Sequence, residues 1–219
     1  MILLTGFEPF DGESVNPSWL AVQQAAELLR AAGHAVRAVE LPCVFGLAAA
    51  AIRRAVDEAN PELVLAVGQA GDRSRLSLER VAINVDDARI PDNSGAQPID
   101  EPVRSDGPAA YFSTLPIKSC LEQLTAAGVR AEVSQTAGTF VCNHVFYALM
   151  DHLATRAQPA GMAEVVRGGF IHLPYATEQV RTQDVPSMDV AVMAQGLAVA
   201  ALTALDTRSD AKIGAGALH

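Results

Sequence analysis

The chain carries only two lysines, Lys118 and Lys212, and its formal net charge is −9. Phosphate binding draws on clustered cations, and no stretch interleaves basic with aromatic residues, so a nucleic-acid partner is excluded. Cysteine is also scarce: Cys43, Cys120 and Cys142 lie far apart and are odd in number. They form neither a disulfide framework nor a Cys-x-x-Cys metal or redox pair. Long apolar runs are missing as well. The most apolar stretch, 190–205, is interrupted by Gln195 and Gly196 and is too short to span a bilayer, so no membrane partner is expected. The opening residues have no basic leader and reach Glu8 too early for a secretory signal. The expected address is the cytoplasm, where thiols stay reduced.

The chain does have the material of a core. Half of its 219 residues are hydrophobic and 19% are charged, which suits one sizeable domain. That domain is expected over residues 1–206, with 207–219 a flexible, small and polar tail.

Short apolar runs alternate with alanine-rich helical patterns. Strands are expected at 1–4 (ended by Thr5-Gly6), 36–41 and 63–67, and helices at 17–32 and 46–59. This rhythm predicts an α/β fold, a three-layer α/β/α sandwich around a twisted, mostly parallel mixed sheet. Residues 80–85 alternate like a strand, and 86–108 form a long loop rich in Asp, Pro, Gly and Asn, of the kind that is usually functional or mobile. Beyond it come a helix at 116–128, a short strand at 131–134 and an amphipathic helix at 143–153. A buried strand at 169–173 and a closing helix at 185–205 complete the pattern.

Cys142 is the first residue with chemistry to offer. It follows a glycine-containing turn and opens a helix, where orphan N–H groups and the dipole lower a thiol's pKa and can hold an oxyanion. Cys43, at a strand end, and Cys120, within a helical pattern, read as inert. Among the histidines, His34 and His219 lie in a turn and a loose tail, and His152 is more than a turn from the thiol. His144 is two residues from Cys142, and i, i+2 side chains on a helix do not face each other. His172 ends a buried strand, where open α/β sheets build their sites, and is favoured as the base. An acid should orient the imidazole. Glu79, Asp86, Asp87 and Asp92 are candidates, and Glu79 stands an even step before Val81, Ile83 and Val85, on their face of the expected strand. No nucleotide loop, Gly-x-Ser-x-Gly elbow or His-Glu-x-x-His metal motif occurs.

These residues sit in longer motifs: Leu4-Thr-Gly-Phe-Glu-Pro-Phe10, Val15-Asn-Pro-Ser-Trp19, Gly68-Gln-Ala-Gly71, Glu79-Arg-Val-Ala-Ile-Asn84, Asp87-Ala-Arg-Ile-Pro-Asp-Asn93, Phe140-Val-Cys-Asn-His144 and Phe170-Ile-His-Leu-Pro-Tyr175. Over nearly its whole length the chain resembles the pyroglutamyl peptidase type I (pyrrolidone carboxyl peptidase) family of cysteine peptidases. The resemblance implies hydrolysis of the amide bond after an N-terminal pyroglutamyl residue, with Cys142 as nucleophile, His172 as base then acid, and Glu79 as orienter. It implies a lactam pocket of Phe7, Phe10, Ile90, Phe140 and Val141, with Gln69 and Arg89 near the substrate or oxyanion. It implies no metal or organic cofactor, and a homo-oligomer, dimer or tetramer. Asp11 and Asp72 each replace a glycine usual in the family. Aspartate tolerates positive φ better than most residues, and extra negative charge near the thiol would raise its pKa. Those exchanges keep open a hydrolase of another small lactam or N-blocked amide; the second alternative is a degenerate family member that binds blocked N-termini without cutting.

Overall fold

The computed structural model describes residues 1–156, 166–180 and 184–216. Among them the elements run β1 (Ile2–Phe7), α1 (Pro17–Ala31), β2 (Val36–Leu41), α2 (Leu47–Ala59), β3 (Leu63–Gln69), β4 (Leu76–Glu79), β5 (Val81–Ile83), β6 (Ala110–Phe112), α3 (Ile117–Ala126), β7 (Ala131–Ser134), α4 (Val141–Thr155), β8 (Arg167–Leu173), β9 (Tyr175–Ala176), β10 (Ser187–Met188) and α5 (Val190–Asp206).

Six strands form the central sheet in the order β2-β1-β3-β8-β4-β7. All neighbours pair in parallel except β4 and β8, which are antiparallel, so β4 and β7 run against the other four. Alternation along each strand sorts side chains into two cores. Ile2, Leu4, Leu63, Leu65, Leu76, Leu78 and Ile171 face α1, α3 and α5, while Leu3, Val64, Ala66 and Phe170 face α2 and α4. Continuous apolar runs such as Leu63–Gln69 follow, because a strand covered on both faces has no polar side.

The helix ends follow local chemistry. Asn16 accepts from Ser18 N at 3.0 Å with Pro17 at the first helical position of α1, and Asp189 accepts from Ala191 N at 2.7 Å to open α5. The α3 N-terminus has no side-chain cap of its own, and a residue far along the chain replaces it. Asp210 accepts from Ser119 N at 2.8 Å and Lys118 N at 3.2 Å, and Lys118 Nζ donates to Ile213 O at 2.7 Å, so the stretch expected to be a loose tail lies against α3. His219 lies outside the described residues.

Three expectations are corrected. Thr5-Gly6 does not end the first strand; β1 continues to Phe7, and Gly6 packs against the backbone of Ser18 and Trp19, where a Cβ would not fit. Residues 80–85 are not one strand. The chain leaves the main sheet at Arg80, and β5 pairs with β6 as a separate ribbon, Val81 opposite Phe112. The closing helix begins at Val190 rather than 185, because Ser187–Met188 pairs with Tyr175–Ala176 first. Among the described residues no helix is long and apolar enough to cross a membrane.

Candidate active site

His172 lies on the face of β8 that looks toward α4, in register with Gly68 of β3 on one side and Ser77 of β4 on the other. Both neighbours are small, which leaves room above the sheet. The thiol of Cys142 occupies that room: a Cβ built on Gly68 would lie 2.7 Å from Cys142 Sγ and 2.8 Å from Phe170 Cζ. Glycine at 68 is therefore what lets the thiol of Cys142 rest on the sheet, next to the strand that carries His172.

Glu79, two residues along β4 from Ser77, reaches the same face and is fully buried. Its Oε1 accepts from His172 Nδ1 at 2.7 Å. With Nδ1 committed to the carboxylate, Nε2 is the nitrogen left for chemistry. Glu79 is inward-facing as expected, but through the parity of β4 rather than by continuity with Val81 and Ile83, which belong to another ribbon.

Cys142 is the second residue of α4, whose N-cap residue Phe140 makes no side-chain cap, so no capping side chain takes up the first-turn N–H groups. Asn143 fixes this end of the helix. Its amide accepts from Ile83 N at 3.0 Å and donates to Ile83 O and Val85 O at 2.9 and 3.0 Å. The expectation of a lowered thiol pKa is not met. Burial pushes Cys142 well above the ordinary thiol value, Cys43 and Glu79 push it further, and Arg73 alone opposes them. Such a thiol needs a base to take its proton before it can attack.

His144 is settled as a structural residue. Its Nδ1 lies 2.7 Å from Asp86 Oδ2, and its Nε2 accepts from Gly46 N at 3.1 Å, so both ring nitrogens are engaged away from the thiol. Asp92 accepts from the amides of Phe45, Ser94 and Ala96, which organises the long loop.

A cavity of about 290 Å³ opens over Cys142 and His172. Phe7, Phe10 and Phe140 wall it, Asn16 and Gln69 bring polar groups, and Phe10 and Phe140 stand 6.0 Å apart, centroid to centroid. Of the residues expected there, Val141 is instead fully buried in the packing beneath α4. Arg89 is exposed and Ile90 half-buried in the long loop, and neither lines the cavity. Cys43, read as inert, does line it, although burial together with Glu8 and Asp92 pushes its thiol up to about 12. Asp11 and Asp72 both adopt positive φ, 54° and 65°. They are not among the groups that act on Cys142; with Glu13 they gather around Tyr175, whose phenol is pushed up first by burial and then by Asp72, Glu13 and Asp11. A larger cavity of about 700 Å³, lined by Glu13, Gln24, Glu178 and Gln179 among others, holds no cysteine or histidine. No group of three or more His, Cys, Asp or Glu among the described residues could hold a metal ion.

The model of the pyroglutamyl peptidase family matches residues 1–207. The chain belongs to that family. It is 57% identical to the pyrrolidone-carboxylate peptidase of Cupriavidus taiwanensis, across 100% of this chain and 99% of that one. The Streptomyces coelicolor pyrrolidone-carboxylate peptidase is 54% identical over the same shares. Among solved structures, pyroglutamyl peptidase I of Bacillus amyloliquefaciens superposes with a TM-score of 0.88 at 44% identity, covering 96% of this chain and 98% of that one. A mutant pyrrolidone carboxyl peptidase of Pyrococcus furiosus gives 0.83 at 36%, covering 94% and 99%. Family membership gives the sheet-floor geometry its context: a cysteine and a histidine at one small aromatic cavity, with a buried glutamate behind the histidine.

Arg73 is the residue that sequence reasoning passed over. Its Nη1 donates to Glu79 Oε1 at 2.7 Å and its Nη2 to Thr136 O at 3.1 Å. The signal was its place in Gly71-Asp-Arg73, directly after a cavity-lining strand end.

Proposed function

We propose that this protein is a cysteine omega-peptidase that hydrolyses the amide bond following an N-terminal pyroglutamyl residue. The observation that carries the reading is one juxtaposition. The thiol of Cys142 rests on Gly68, the register neighbour of His172, and His172 is held from behind by Glu79. A flat, neutral five-membered lactam suits the cavity, with aromatic walls from Phe7, Phe10 and Phe140 and the amide of Gln69 for its polar edge.

In this reading His172 Nε2 takes the proton from Cys142 as sulfur attacks the pyroglutamyl carbonyl carbon. Open N–H groups at the start of α4 receive the negative charge that develops on the carbonyl oxygen. The C–N bond then breaks, and the amine leaves with the proton held by His172. A water attacks the thioester, gives its proton to His172, and pyroglutamic acid departs as the thiol is restored. Glu79 balances the imidazolium in both halves.

The reading also carries one domain over 1–206, a cytoplasmic address consistent with free Cys43, Cys120 and Cys142, and a dimer or tetramer. Exposed Leu28 on α1 and Phe112 on β6 offer apolar surface for such assembly.

The test is release of a reporter amine from a pyroglutamyl amide by wild type and by Cys142→Ser, beside a prolyl amide. Turnover is expected from wild type alone and from the pyroglutamyl compound alone. A folded wild type that leaves the pyroglutamyl amide intact would sink the assignment.

A further inference from the structure

A fully buried carboxylate needs more than a neutral imidazole to hold it. Glu79 is entirely excluded from solvent, and its single engaged oxygen, Oε1, accepts from two donors at once, His172 Nδ1 and Arg73 Nη1, each at 2.7 Å. Among the described residues Oε2 has no hydrogen-bond partner. An imidazole supplies a cation only when protonated, and it must surrender that proton during turnover. A guanidinium keeps its charge throughout.

Arg73 is also placed to act on more than Glu79. Its second arm donates to Thr136 O, in the turn that leads into Phe140 and Cys142, and its side chain lines the cavity. The charged and titratable groups around the thiol are Glu79 on β4, His172 on β8, Cys43 before α2 and Arg73 between β3 and β4. His144, on the thiol's own helix, is turned to Asp86 and Gly46. Of these neighbours Arg73 is the permanent cation.

We propose that Arg73 is a positioning residue for the reaction: it pins Glu79 Oε1 on the imidazole of His172, and it cancels the charge of Glu79 where a thiolate must form. This deepens the peptidase reading, on which it rests for its role in turnover. It adds a fixed charge behind the triad and ties the acid to the backbone turn that carries the nucleophile.

The experiment follows two readouts in wild type, Arg73→Gln and Arg73→Lys. The first is the rate at which iodoacetamide alkylates Cys142, resolved by peptide mass from Cys43 and Cys120, across pH 5 to 10. The second is kcat and KM on a pyroglutamyl amide. Loss of a neighbouring cation moves a thiol by about one unit or more, so Arg73→Gln should shift the alkylation profile about one unit upward and slow it about tenfold at neutral pH. Turnover should fall mainly in kcat. Arg73→Lys keeps the charge but cannot grip Glu79 and Thr136 together. Its alkylation profile should return to within about threefold of wild type, while kcat stays below it.

An unmoved profile in folded Arg73→Gln overturns the proposal, as does a Lys variant shifted as far as the Gln variant. If Arg73→Gln does not fold, the Lys variant decides by both readouts: an alkylation rate slowed about tenfold at neutral pH, or a kcat equal to wild type, overturns the proposal. Alkylation needs no substrate. A wild type without turnover but with the predicted alkylation shifts would therefore defeat the peptidase reading and leave the electrostatic role of Arg73 standing.

Discussion

Adding one methyl group at Gly68 should separate catalysis from folding. The backbone there accepts alanine, since Gly68 is not among the positive-φ residues. The new Cβ would lie 2.7 Å from Cys142 Sγ and 2.8 Å from Phe170 Cζ, where nonbonded carbon contacts settle at about 3.5–4.0 Å. Sulfur and ring must each retreat by about 1 Å. Phe170 is packed in the core on that face, so the thiol, at the cavity edge, is the group that gives way. Overpacking costs about 1–3 kcal/mol, and alanine in place of glycine in a strand recovers about 0.5–1 kcal/mol. The net loss, about 1–2 kcal/mol, corresponds to a fall in Tm of roughly 2–8 °C for a chain of this size. A reacting atom displaced by about 1 Å loses about a hundredfold in rate. We therefore expect Gly68→Ala to fold, to melt a few degrees early, and to lose about two orders of magnitude in kcat/KM. Gly196→Ala is the control: its Cβ would meet the flexible end of Leu76 in the opposite core, and its activity should stay within about twofold. A Gly68→Ala enzyme within threefold of wild type would refute the claim that the thiol's seat on the sheet is what aligns it.

Three further outcomes follow from the same geometry. His172→Gln should abolish turnover with a small change in Tm, whereas His144→Ala should unfold about 3–5 kcal/mol more easily, because it strands the buried carboxylate of Asp86; comparing melting curves with kcat for the two variants checks this. For Asp92, burial alone would raise the carboxyl, but the Ser94 hydroxyl and the amides of Phe45, Ala96 and Ser94 outweigh it and hold the group below its ordinary range. A depressed folded value means this stabilisation is complete above the unfolded pKa of about 3.9 and lost as pH falls through the folded value. Asp92→Ala should thus lower Tm at pH 7, and the gap from wild type should close in acid. Finally, Asp11, Glu13 and Asp72 crowd Tyr175, which packs on cavity-lining Gly71. Pyroglutamyl amides of cationic amines should be cut several-fold faster than those of anionic amines. Asp11→Gly with Asp72→Gly, or 0.5 M salt, should erase the difference in kcat/KM.

The three-layer architecture was legible because both cores write themselves locally. Apolar runs such as Leu63–Gln69 mark doubly covered strands, and Asn16-Pro17 marks a helix start within a few residues. The positions of Cys142 and His172 were legible for the same reason, as one opens a helix and the other ends a buried strand. The break at Arg80 was not. Val81, Ile83 and Val85 alternate like one strand from Arg80 onward, and the choice to leave the sheet depends on β6, about thirty residues away in the chain. Asp210 as the cap of α3 was equally hidden, since nothing in either segment names the other.

The amino-acid order alone determined which residues could do chemistry and on what kind of element each would stand, because propensity, capping and periodicity act over a turn or two of chain. Tertiary structure decided which of them meet. His172 is favoured over His144 in the sequence by its place at a strand end; strand register puts it between Gly68 and Ser77, with Glu79 on its Nδ1, and helix packing turns His144 onto Asp86. The charge state around the thiol was likewise decided in three dimensions. Burial, Glu79, Cys43 and Arg73 converge on Cys142 from separate parts of the chain, and a Coulombic interaction is set by distance through space.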